Sequence, residues 1–161
     1  MNTREARAAI PAELLAQIAL RWHDEGRTIV FTNGVFDLLH PGHLALLADC
    51  ATMGDIVLVA INDDASVARL KGPSRPVYPA SERAEILLAL RWVDAVTVFS
   101  EDTPLVAIER VCPDVLVKGA EYGAGEIVGE QFVRARGGRV VRYPMAKGHS
   151  TTDIVRRMGE T

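Results

Sequence analysis

The sequence predicts an α/β fold: a doubly wound, Rossmann-like parallel sheet of five strands with helices on both faces. Two observations predict it. From residue 28 onward, apolar strand-like runs alternate with patterns of helical period. Two of those runs, 28–32 and 56–61, are nearly continuous hydrophobic stretches, as parallel strands buried on both faces are.

The elements follow in order. Residues 11–24 read as an amphipathic helix, because Leu14, Leu15, Ile18 and Trp22 recur at helical spacing, and Gly26 ends it. Residues 1–26 are therefore expected to form an N-terminal helical extension, with one domain over 27–158. Strands are expected at 28–32, 56–61, 94–99, 114–117 and 139–143. Helices are expected at about 42–53, 81–91, 103–111 and 126–136, with a last one over 151–158. The segment 71–80 is rich in Pro and Gly and carries Lys71 and Arg75, so it is the expected mobile loop, with Gly119–Gly125 second. Right-handed crossovers place the loops that follow the strands along one edge of the sheet, where ligands bind such folds.

Composition narrows the function. The chain has 161 residues, 48% of them hydrophobic and 24% charged, which suits one soluble domain with a sizeable core. A formal net charge of -3 argues against a nucleic-acid partner, which needs a basic face. No stretch approaches a membrane-spanning run, and the N-terminus is too charged for a signal peptide. Cys50 and Cys112 lack metal-type spacing and read as reduced core residues of a cytoplasmic protein.

The stretch Thr32-Asn33-Gly34-Val35-Phe36-Asp37-Leu38-Leu39-His40-Pro41-Gly42-His43 is the most informative. A strand runs into a glycine turn, and two histidines flank Pro41-Gly42 where a helix begins. Proline suits the first turn of a helix. Such a helix start is expected to offer unpaired N–H groups and a positive dipole end to an anion, with two imidazoles aimed at the same place. That combination suits the phosphates of a nucleotide.

The His-Pro-Gly-His run in this setting resembles the HxGH signature of the cytidylyltransferase-like nucleotidyltransferases. The match continues through Ala60-Ile61-Asn62-Asp63-Asp64, Leu70-Lys71-Gly72-Pro73, Arg75-Pro76-Val77, Glu82-Arg83, Asp114–Gly119 and Gly148-His149-Ser150-Thr151-Thr152, covering about Thr28 to Met158. Together these look like the bacterial branch that joins ATP to D-glycero-β-D-manno-heptose 1-phosphate, giving ADP-heptose and pyrophosphate for lipopolysaccharide core. In many bacteria that activity is one half of a bifunctional kinase/adenylyltransferase. Here the resemblance implies a stand-alone form, its sugar 1-phosphate supplied by a separate kinase.

The resemblance also implies residue roles. His40, His43 and Lys71 are the expected catalytic residues. Thr32, Asn33, Gly34, Val35, Phe36, Gly42, Lys118, Gly119, Ser150, Thr151 and Thr152 are expected to line the nucleotide with the two histidines. Asp37, Asp64, Lys71 and Arg83 are expected near the substrate. Mg²⁺ is the implied cofactor, held mainly through the phosphates, with no side chain assigned to it. ATP and a sugar 1-phosphate are the implied partners. A homodimer is expected, with Trp92-Val93 or the N-terminal helix as candidate surfaces.

Several of these residues have plainer readings. Asp37 suits a helix cap or a loop brace, and Asp64 suits a cap for the helix after it. A lysine in a Gly-Pro loop such as Lys71 is often only solvated. Arg83 sits in the first turn of a helix, the wrong end for a cation on dipole grounds, which favours a phosphate or an ion pair. Ser150–Thr152 suit an N-cap, worth roughly 1 kcal/mol.

Rival classes fit less well. Class I aminoacyl-tRNA synthetases share the HxGH motif but need a Lys-rich loop and tRNA-binding domains. A dinucleotide-binding oxidoreductase needs a GxGxxG turn, which is absent after the first strand. Glycerol-3-phosphate cytidylyltransferase shares the core motif, but Asn33, the run Asn62–Ala65 and Leu70–Pro73 look closer to the heptose branch. A non-catalytic nucleotide sensor would typically have lost one of His40, His43, Lys71 or Ser150–Thr152.

Overall fold

The structure is a computed structural model that describes residues 7–119 and 127–144, together with Arg156 and Met158. The expected helix over 151–158 and the run Ser150–Thr152 lie outside the described residues, except that Arg156 and Met158 are helical.

Among the described residues the sheet holds six parallel strands, one more than expected. In chain order they are β1 (Ala8–Ile10), β2 (Ile29–Gly34), β3 (Ile56–Asn62), β4 (Ala95–Phe99), β5 (Val115–Gly119) and β6 (Arg139–Tyr143), arranged β1-β4-β3-β2-β5-β6. The additional strand is β1, which pairs with β4 in the register Ala8↔Ala95 to Ile10↔Thr97. Residues 8–10 thus belong to the sheet edge, within the stretch expected to be a helical extension. Ala8 and Ala9 are exposed and only Ile10 is buried, so hydrophobic periodicity had nothing to report there.

The helices are α1 (Leu15–Asp24), α2 (Pro41–Cys50), α3 (Asp64–Lys71), α4 (Ala80–Ala89), α5 (Leu105–Val111) and α6 (Glu130–Ala135). Strand residues alternate between the two faces because the side-chain period is two. Ile29, Phe31, Ile56, Leu58, Ala60 and Leu116 meet α1, α5 and α6 on one face. Val30, Val57, Val59, Ile61, Val96 and Val117 meet α2 and α4 on the other. All seven residues of β3 are buried, which explains its unbroken apolar run. Gly54 turns the chain into β3 where nothing larger fits, since a Cβ would stand 2.7 Å from Val30 Cγ2 and 2.8 Å from the Thr28 carbonyl oxygen.

Helix α3 is missing from the helices that periodicity predicts, and its cap is Asp63, one residue before the Asp64 read as the cap of a following helix. It buries only Ser66 and Val67, and it is started by Asp63, whose Oδ1 accepts from Ser66 N at 2.7 Å. Cys50 is buried, and burial pushes its thiol up to about 12. Cys112 is not a core residue. It is half-buried in left-handed backbone (φ 49°) at the end of α5. No helix among the described residues is long and apolar enough to cross a membrane.

Candidate active site

The strand order reverses beside β2: the chain runs outward through β3 and β4, then returns to place β5 on the other flank of β2. The carboxyl ends of β2 and β5 therefore border the switch point, where ligands bind in sheets of this kind. Thr32, Asn33 and Gly34 close β2, and Lys118 and Gly119 close β5. Lys118 Nζ donates to the Asn33 carbonyl at 3.1 Å across the gap. The stretch Val35–His40 leads from β2 into α2 at the same edge.

His40 is the N-cap of α2 and is buried. Its Nδ1 accepts from Gly42 N at 3.1 Å, and its backbone N–H donates to His43 Nδ1 over a long 3.4 Å. The first N–H groups of the helix are thus paired, contrary to expectation: Gly42 N with an imidazole, and His43 N with the His40 carbonyl at 2.9 Å. What the helix start retains for an anion among the described residues is its dipole and the far side of the His43 ring. Because each Nδ1 accepts, the hydrogen-bond geometry assigns the proton of each ring to Nε2. Among the described residues His43 Nε2–H has no acceptor.

The two rings stack with centroids 3.8 Å apart and planes at 26°. The Phe36 ring also lies near His43, with centroids 5.0 Å apart and planes at 43°. Burial, with His40 as the smaller cause, holds the His43 imidazole down at about 4. It is therefore a neutral donor at neutral pH. Gly34 is among the residues expected to line the nucleotide. In the structure the Phe36 ring covers it, 3.1 Å from where a Cβ would stand.

Three of the expected substrate residues are tied to the fold. Asp37 is 3% exposed, and its carboxylate accepts from Arg75 Nε at 2.7 Å, from Val77 N at 2.9 Å and from Tyr78 N at 3.0 Å. Burial alone would raise its pKa, but the Tyr78 and Val77 N–H groups and the Arg75 guanidinium outweigh it and hold the carboxyl below its usual range. Asp37 is a loop brace here, one of its plainer sequence readings. Arg83 is 1% exposed and donates to the Tyr78 carbonyl (2.9 Å), the Val35 carbonyl (2.8 Å) and Asp64 Oδ1 (2.8 Å). Asp64 Oδ1 also accepts from Ala80 N at 2.8 Å. The segment after α3 is therefore bonded to the rest of the fold at Arg75, Val77, Tyr78 and Ala80.

Lys71 ends α3, exposed, with no hydrogen bond or ion pair to a described residue. Arg75 received no role from the sequence, although Arg75-Pro76-Val77 stood among the recognised motifs. No group of three or more His, Cys, Asp or Glu is gathered to hold a metal ion among the described residues.

A separate cleft of about 710 Å³ opens at the amino ends of β3 and β4, across the sheet from the histidines. Its charged groups serve the fold: Asp55 accepts from Thr28 N and Asp94 from Val57 N, each at 2.9 Å, and Arg27 reaches Glu25 at 3.4 Å.

Residues 31–157 match the family model described as cytidylyltransferase-like. The chain belongs to this family. Among curated relatives it is 50% identical over 154 residues to the bifunctional protein HldE of Gluconobacter oxydans, covering 96% of this chain and 32% of that protein. It is 52% identical over 147 residues to the bifunctional protein HldE of Gluconacetobacter diazotrophicus, covering 91% of this chain and 30% of that protein. The chain thus spans about a third of the length of these relatives. A lipopolysaccharide core biosynthesis protein from Thermoplasma volcanium superposes with a TM-score of 0.62 at 27% identity, over 77% of this chain and all of that one. Pantoate-beta-alanine ligase from Francisella tularensis superposes with a TM-score of 0.64, over 97% of this chain and 79% of that one. At 16% identity that likeness speaks to the fold alone.

Proposed function

We propose that this cytidylyltransferase-like domain is an adenylyltransferase that converts D-glycero-β-D-manno-heptose 1-phosphate and ATP to ADP-heptose and pyrophosphate. The observation that carries the reaction class is the stacked His40–His43 pair, with its Nε2–H groups at a helix start beside the switch point. The matched stretch of the HldE relatives, together with the similarity to a lipopolysaccharide core biosynthesis protein, supports the heptose substrate.

The sugar phosphate is already ionised, so no general base is needed. One of its oxygens attacks the α-phosphorus of ATP, and the bond to the bridging oxygen of the β-phosphate breaks, releasing pyrophosphate. Rate then depends on in-line positioning and on donors that meet charge as it develops. A neutral imidazole whose Nδ1 is held by a backbone N–H presents a fixed Nε2–H and needs no reorganisation during the step. Mg²⁺ would be held mainly through the phosphates of the triphosphate, with no side chain assigned to it, and would supply neutralisation of part of their charge. The Asp37 carboxylate, committed to Arg75, is not offered to it.

In this reading His40 and His43 serve the transferring phosphate, and Lys71 reaches it from the end of α3. The carboxyl ends of β2 and β5, with Lys118 and Gly119, border the nucleotide. Ser150, Thr151 and Thr152 close on its outer phosphates. Asp37, Asp64 and Arg83 act from behind the site. The protein works in the cytoplasm, as a homodimer.

The test is pyrophosphate release with ATP or CTP crossed with heptose 1-phosphate or glycerol 3-phosphate. Release is expected only when nucleotide, sugar phosphate and Mg²⁺ are all present. No release in any combination would remove the catalytic reading.

A further inference from the structure

The segment Arg75–Arg83 grips the stretch after β2 at two points. Asp37 receives the Arg75 guanidinium and the N–H groups of Val77 and Tyr78, and the carbonyl of Val35 receives Arg83. Arg83 also bonds the Tyr78 carbonyl, so the two grips are joined to each other. Asp64, at the start of α3, anchors the far end through Arg83 and Ala80 N.

Between the two gripped residues stands Phe36, with φ at 47°. Left-handed backbone is unfavourable for a bulky side chain and persists where the surroundings over-determine it. The surroundings here are the two grips. The turn lays the Phe36 ring over Gly34, and the same ring lies 5.0 Å from the His43 ring. The His43 ring thus contacts the rings of both Phe36 and His40. Directional, buried polar bonds specify one position of a loop, whereas apolar packing tolerates small slips.

We propose that Arg75–Arg83 is a positioning strap: by holding Val35 and Asp37 it fixes the left-handed turn at Phe36, and the Phe36 ring orients His43 for the transfer step. Arg75 and Phe36 are positioning residues in this scheme. The kinetic half of the inference rests on the adenylyl-transfer reading, and the structural half does not.

Arg75→Met and Phe36→Leu are compared with wild type by NMR of the His43 ring, by melting temperature and by steady-state kinetics. Both variants are expected to shift the His43 ring resonances. Both are expected to lower kcat roughly 10- to 100-fold, the scale of about an ångström of misplacement. For Arg75→Met, KM for ATP is expected to stay within about threefold, because Arg75 bonds Asp37 and is not among the residues expected to line the nucleotide. If Arg75→Met does not fold, Arg75→Lys takes its place, keeping the charge but losing the guanidinium fork, with smaller shifts in the same direction. Unchanged His43 resonances in folded Arg75 and Phe36 variants would overturn the strap. So would a raised KM for the sugar phosphate with kcat and His43 resonances unchanged, which would make Arg75 a substrate contact. A wild-type protein that turns over no substrate would defeat the adenylyl-transfer reading instead, and the NMR comparison would still decide the strap.

Discussion

The buried, neutral state of His43 makes folding stability depend on pH in a defined window. An unfolded histidine titrates near 6.5, and in the fold His43 is held down at about 4. The unfolded chain therefore binds more protons between those values. The contribution is complete above pH 6.5, declines as pH falls from there to 4, and changes little below that. Linkage across that gap gives a loss of about 2 kcal/mol at pH 5 and about 3 kcal/mol at pH 4. Asp37 acts in the same direction but in a lower window, because its carboxyl is held below 3.8 and loses its contribution only as pH falls through its folded value. Urea unfolding of wild type and His43→Asn at pH 7.5 and pH 5 isolates the histidine. Wild type is expected to lose about 2 kcal/mol more than the variant on acidification. Equal losses would mean that His43 is not held neutral by burial, and that its assigned role as an uncharged donor is wrong.

Other outcomes follow from the same geometry. His43→Ala is expected to lower kcat on the order of 10²-fold or more with little change in KM for ATP, measured by pyrophosphate release, because the donor acts mainly in the transition state. A risen KM with kcat unchanged would make it a ground-state contact. Arg83→Met leaves the carbonyls of Val35 and Tyr78 without their donor and is expected to cost about 3 to 5 kcal/mol by chemical denaturation. A cost under about 1 kcal/mol would show that the buried network does not hold this region. Lys71→Ala is expected to slow turnover while the melting temperature stays within a few degrees, since the side chain is exposed and bonds no described residue. A large thermal loss would make it a structural residue.

The strands beneath the site were legible because burial on both faces leaves an unbroken apolar run, as in Ile56–Asn62. The histidine pair was legible because four consecutive residues carry its cap, its turn and both rings. Hydrophobic periodicity could not supply β1, where two of three residues are exposed, or α3, which buries a single apolar side chain and was signalled only by its capping residues. It also missed the state of the helix start, where an imidazole takes the capping position usually held by Ser, Thr, Asp or Asn. The Asp37–Arg75 pair joins residues 38 positions apart, a distance no periodicity spans. Asp37 and Arg83 therefore read as substrate residues in the sequence, and only the fold shows Asp37 accepting from Arg75, Val77 and Tyr78 and Arg83 donating to Val35, Tyr78 and Asp64.

Product identity decides the assigned reaction most directly. ATP and D-glycero-β-D-manno-heptose 1-phosphate are incubated with the protein and Mg²⁺, and the products are separated and weighed by mass spectrometry, with CTP and glycerol 3-phosphate in parallel. ADP-heptose is expected in equal amount to the pyrophosphate released. A pocket built to bond the hydroxyls of a seven-carbon sugar leaves polar groups unpaired with glycerol, so kcat/KM is expected to favour the heptose by a factor of up to about 10⁴. Preferential formation of CDP-glycerol from CTP and glycerol 3-phosphate would contradict the assignment.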